Sequence, residues 1–128
     1  MALCGLAAGL VVSTPFAPAA QAASFVVDNL GDGADANVGD GICATGGGVC
    51  TLRAALQEAN ANGATADTIT FSVAGTITLT TSLPDRLSGN TTVGGANQTV
   101  TIDGSDSSLV GSCLEVRSDG NAIRGLVI

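Results

Sequence analysis

The chain has 128 residues, enough for one domain with a modest core. Eleven acids stand against four Arg, with no Lys and no His, so the net charge is −7. An acidic surface repels phosphate backbones, which excludes nucleic acid as a partner. With no Tyr or Trp there are no large stacking platforms for bases or sugars, and with no His the commonest general base and metal ligand is missing.

The chain opens on an apolar run from Ala2 to Val12, followed by small residues. Ala20-Gln21-Ala22 fits an A-x-A cleavage site, so residues 1–22 are expected to be a signal peptide and Ala23 the new N-terminus. No basic residue precedes the run, which places the expected true start upstream. The run is shorter than the ~20 apolar residues of a membrane span. Export implies an oxidising compartment, extracellular or at the cell surface.

Ser24 to Val27 is a short β-prone run, and a Gly- and Asp-rich loop without apolar period extends from Asp28 to Val49. Cys43 and Cys50 bracket a segment with three glycines, which lets the two sulfurs meet in a disulfide. Two free thiols are the alternative, and a zinc site lacks ligands. Cys113 is left over, either a free thiol or paired with a cysteine beyond Ile128 in a longer chain.

A helix is expected at about residues 51–62. Thr51 suits the N-cap, Leu52, Ala55, Leu56 and Ala59 form an apolar stripe, and Gly63 suits the residue just past the end. Arg53, Gln57 and Glu58 fall off that stripe.

From Thr68 the pattern is short strands and turns. Ile69 and Phe71, residues 76–80, Val100 and Ile102, Leu114 and Val116, and finally Leu126 and Ile128 alternate with polar neighbours. A sandwich and a solenoid both fit. There are no two-residue hairpin links, and Ile102-Asp103-Gly104 echoes Ile123-Arg124-Gly125 at a distance of 21 residues, with Ile77 25 before Ile102. The expectation is an all-β solenoid, a parallel β-helix whose open end is capped by the helix. Ending inside a strand, the chain is expected to be a truncated piece of a longer protein with more rungs beyond.

Cys50-Thr51-Leu52-Arg53-Ala54-Ala55-Leu56-Gln57-Glu58-Ala59-Asn60 resembles the motif of the CSLREA domain, an N-terminal module of bacterial secreted and surface proteins. Gly39-Asp40-Gly41-Ile42-Cys43 before it, and Ala66-Asp67-Thr68-Ile69-Thr70-Phe71 and Gly75-Thr76-Ile77-Thr78-Leu79 after it, resemble the family too. Thr51 stands where the motif has Ser, and Ala54 where it has Glu, so any salt bridge from that Glu is absent. The resemblance implies a right-handed, pectin-lyase-like parallel β-helix after the cap, and no defined reaction. With the cleavage site, the expected division is a leader (1–22), a cap region with motif and disulfide loop (23–66) and first β-helix rungs (67–128).

Asp28, Asp32, Asp35 and Asp40 are the densest acidic group, and calcium favours several such oxygens on a flexible loop. The alternative is a surface loop of Asx-turns. Asp103 and Arg124 match in the two aligned segments, as a reactive pair or an ordinary ion pair. Arg53 is expected to pin the loop or the first rung. The expected function is structural or adhesive, with a surface glycan or protein as partner and no catalysis in this piece. The alternatives are a polysaccharide-degrading enzyme whose groove lies further on, and a calcium-binding extracellular module.

Overall fold

The computed structural model describes residues 21–63, 65–84, 89–94, 98–105 and 113–128. The apolar run of the expected leader lies outside the described residues. Among the described residues no helix is long and apolar enough to cross a membrane.

The strand β1 (Ser24–Val27) buries Phe25 and Val27 and exposes Ser24 and Val26, the period of a half-buried strand. The helix α1 (Leu52–Ala61) starts after Thr51, whose extended backbone and side-chain oxygen, accepting from Ala54 N at 3.1 Å, cap the first turn. Asn62 N donates to Glu58 O at 2.9 Å, and Gly63 at φ +80° turns the chain away as only glycine does readily. Five short strands follow: β2 (Thr68–Phe71), β3 (Gly75–Thr78), β4 (Thr92–Val93), β5 (Val100–Asp103) and β6 (Ala122–Ile123). A sixth, β7 (Leu126–Val127), ends the series.

All the strand pairings are parallel. One sheet runs β1-β2-β4-β6, the other β3-β5-β7. In the first, Phe25 pairs with Ile69, Ile69 with Val93, and Val93 with Ile123. In the second, Ile77 pairs with Ile102, and Val100 with both Gly75 and Leu126. Identical or similar apolar side chains thus stand side by side in each sheet, because parallel in-register pairing keeps one face apolar.

The core joins both sheets to the helix. Leu52, Leu56, Ile69, Ile77, Leu79 and Val93 are almost fully buried, each contributing roughly 1.5–3 kcal/mol if fully removed from water.

Several expectations need correction. The chain is not found to be an all-β solenoid. Its described residues make two small parallel sheets and one short helix, an α/β-like arrangement. With no solenoid found, the capping role expected of the helix falls too: Leu52, Ala55, Leu56 and Ala59 enter the core, and the helix packs against β1 and β2. The 21-residue echo fails as well. Ile102 belongs to the three-stranded sheet beside Ile77, and Ile123 to the four-stranded sheet beside Val93. Asp103 and Arg124 therefore do not occupy matching positions. The expected strand around Leu114 and Val116 does not form. Short alternating runs carry too little information to choose a sheet, since that choice depends on the turns between them.

Candidate functional site: an acidic loop locked to the buried helix

The loop between β1 and α1 folds back on itself. Ala36 N donates to Ala44 O and Thr45 N to Val49 O, both at 2.9 Å, and Asp35 bridges Thr45 in antiparallel fashion. Cys43 and Cys50 are disulfide-bonded with their Cα atoms 5.1 Å apart. So short a closure contributes ~2.5 kcal/mol on the chain-entropy estimate. Cys113 is a free, partly buried thiol.

Arg53 sits at the second helical position with its side chain 10% exposed. Nε and Nη2 donate to Oδ1 and Oδ2 of Asp32, both at 2.9 Å. Nη1 donates to Ser82 O at 2.8 Å and Nη2 to Thr81 O at 2.7 Å. Asp32 also accepts from the backbone N and hydroxyl of Thr80, both at 2.9 Å. One planar fork thus joins the helix start, the acidic loop and the segment after β3. A guanidinium can do this because its donors are fixed in a plane that matches a carboxylate edge.

Two further carboxylates clasp the loop. Asp28 Oδ1 accepts from Cys50 N at 2.9 Å, while Asp28 N donates to Cys50 O at 3.1 Å. Glu58 is 2% exposed, and its two oxygens accept from Gly39 N at 2.6 Å and Gly41 N at 2.8 Å. Gln57 Oε1 accepts from Asp35 N at 2.8 Å. Arg53, Gln57 and Glu58 are the residues that fall off the apolar stripe. They face the loop, which covers them. No local signal in the sequence marks Gln57 and Glu58 as more than surface positions; only the arrival of the loop on that helix face gives them partners.

The four carboxylates expected to bind calcium are not brought together. Asp28 and Asp32 are committed as described, and Asp35 and Asp40 instead approach Glu58. The ligand oxygens of Asp35, Asp40 and Glu58 lie within 4.8 Å of one another. These same carboxylates already serve the backbone. Asp35 accepts from Asn37 N at 2.8 Å and Ala44 N at 2.9 Å, and Asp40 from Ile42 N at 2.8 Å. Asn29 makes the same turn onto Gly31 N. The bonds to Asn37, Ile42 and Gly31 are Asx-turns, in which the side chain folds its own backbone, and the bond to Ala44 ties together the two arms of the loop. A spherical dication requires six to eight oxygens, and this trio offers three carboxylates with most of their first lone pairs occupied.

No protein-family model, curated protein or solved structure matches this chain. In residues 50–60, the stretch that resembles the CSLREA motif, Thr51 caps the helix, Arg53 forms the fork, and Leu52, Ala55, Leu56 and Ala59 enter the core. Ala54 is fully buried, so a Glu there would need a buried partner of its own. Asn60 lies half-buried on the last turn.

Asp103 accepts from the hydroxyl and then the backbone N of Ser105, which hold its carboxyl below the ordinary aspartate value. Arg117 forms a two-pronged pair with Glu115 two residues away. Neither arrangement poses a general acid beside a general base.

Proposed function

We propose that this chain is a structural module of an exported protein, similar to CSLREA domains in its helix motif and without chemistry of its own. The observation that supports this most directly is the use of Arg53. The one buried cation among the described residues is engaged at Nε, Nη1 and Nη2 alike, by Asp32, Ser82 and Thr81. A ligand-binding arginine keeps part of its fork free for the ligand.

The disulfide between Cys43 and Cys50 supports export, because such bonds persist in oxidising compartments. The cleavage-site pattern ending at Ala22 supports it independently. The loop, its disulfide and the fork then serve to hold a polar surface over a helix that must stay dry. Contact with an extracellular glycan or protein falls to the exposed strand faces.

A fusion of the full chain to a reporter enzyme active only outside the cytoplasm tests this. Reporter activity in a bacterial host, with the disulfide formed in the recovered protein, is the expected result. An inactive reporter on a folded chain overturns the export reading. Turnover of polysaccharide by the purified chain, lost in Arg53→Lys, overturns the structural one.

A further inference from the structure

The nitrogen of Ala23 lies in an unusual place. It donates to Asp67 Oδ1 at 2.8 Å. Asp67 is 1% exposed, and the same Oδ1 also accepts from Asn62 Nδ2 at 2.8 Å and Thr65 Oγ1 at 3.0 Å. Its other oxygen, Oδ2, is buried without a hydrogen-bond partner. Among the described residues Arg53 pairs with Asp32 and Arg117 with Glu115, and no arginine pairs with Asp67. A buried carboxylate with one oxygen orphaned and no counter-charge is costly.

We propose that cleavage before Ala23 creates the missing partner: the new α-ammonium of Ala23 forms a buried ion pair with Asp67, so that removal of the leader completes the fold. This rests on the export reading above and goes beyond it. In the uncleaved chain the Ala23 nitrogen is a neutral amide with one hydrogen. Hydrolysis breaks the bond between Ala22 C and Ala23 N. The water oxygen goes to Ala22, which leaves as a carboxylate. The nitrogen gains two hydrogens and a full positive charge, with no net uptake of protons at neutral pH. One ammonium hydrogen keeps the bond to Oδ1 and another serves Oδ2.

The surroundings suit this step. Ala22 is exposed, so the bond is reachable. Ala23 is held from its own side, since Thr68 N donates to Ala23 O at 2.9 Å and Ser24 pairs with Thr68 in the sheet. The nitrogen therefore keeps its position when the preceding residues leave. Ala23 also lines a pocket of about 220 Å³ that carries Asp40, Glu58 and Asn62. Both acids there favour a cation and leave it room. The cost is one bond, Asn62 Nδ2 to Gln21 O at 2.6 Å, which departs with the leader.

The chain contains no Lys, so after processing the α-amino group is its sole primary amine. An amine-reactive ester then reports on that group alone. The full chain is exported from a bacterial host, its N-terminus read by mass spectrometry, and the labelling rate at neutral pH compared in native buffer and in denaturant. The expected result is an N-terminus at Ala23 and labelling at least ~10-fold slower in the native state, as a rise of one unit in the amine pKa alone would give. In Asp67→Asn, with its fold checked by circular dichroism, the protection is expected to fall away. An N-terminus at Ala23 that labels equally fast in both states overturns the ion pair and leaves the export reading intact. A chain exported and cleaved elsewhere overturns the ion pair alone, and a folded chain that is neither exported nor cleaved overturns both. The native-to-denatured comparison needs no variant, so a misfolded Asp67→Asn does not decide the outcome.

Discussion

Arg53 and Asp32 meet edge to edge, with Arg53 Nη2 2.8 Å from Asp32 Oδ1 and both side chains nearly closed to solvent. The pair joins a helix to a loop that comes 21 residues earlier. Truncating one partner of a buried pair strands the other charge. Arg53→Ala should therefore cost ~3 kcal/mol or more. Arg53→Lys should recover little of that, because a single ammonium cannot serve Asp32, Thr81 and Ser82 together. Thermal melting of the three proteins checks both statements, and a lysine variant as stable as wild type contradicts the role of the planar fork.

The disulfide makes a separable contribution. Replacing Cys43 and Cys50 together by Ser should lower stability by ~2.5 kcal/mol. The effect should add to that of Arg53→Ala only incompletely, since both restrain one loop. Chemical denaturation of the single, double and combined variants gives the coupling directly.

Glu58 holds Gly39 and Gly41 by their backbone N–H groups. Glu58→Gln leaves one acceptor and turns an NH2 toward the second N–H, at ~1–3 kcal/mol. Amide exchange at Gly39 and Gly41 should quicken, while β3 and β5 keep their protection. Because the carboxylates of Asp35, Asp40 and Glu58 are already engaged, millimolar calcium should raise the melting temperature by less than about one degree. A larger rise, abolished in Asp40→Asn, would restore a metal site at that cluster.

Gly94 tests the close approach of β4 and the residues after β6. It has φ +142°, and a Cβ built there would stand 1.9 Å from Arg124 O, a backbone atom that cannot step aside. Gly94→Ala should cost more than ~2 kcal/mol. Gly46, where a Cβ meets nothing within 4 Å, is the matched control. Gly46→Ala should change stability by no more than ~0.5 kcal/mol.

Glu115 supplies a pH-dependent contrast. Its hydrogen bond from Arg117 holds the carboxyl below the ordinary glutamate value, and the pair lies at the surface. A lowered folded-state pKa contributes stability above the unfolded value that is lost as pH falls through the folded one. Solvent and salt screen such a pair, so Glu115→Gln should leave the midpoint of acid unfolding close to that of wild type. A marked shift toward neutral pH would mean that the pair carries more than its surface position suggests.

The sequence by itself determined the local features whose signals are short-range. Thr51 before an apolar 3.6-period stripe and Gly63 after it specify the helix and its ends, because capping acts within one turn. Alternation specifies β1, β2, β3 and β5, and a short glycine-rich segment lets Cys43 and Cys50 meet. What lay beyond it was relational. The pairing of Ile123 with Val93 and not Ile102, and hence two small parallel sheets and one helix packed on β1 and β2 instead of a solenoid, depends on turns that alternation does not encode. The sequence placed Glu58 off the apolar stripe of the helix and Asp67 in a stretch that resembles the family, with no partner for either. Only the tertiary structure buries both and sets Asp67 against the nitrogen of Ala23, because burial and partner are properties of where distant segments come to rest.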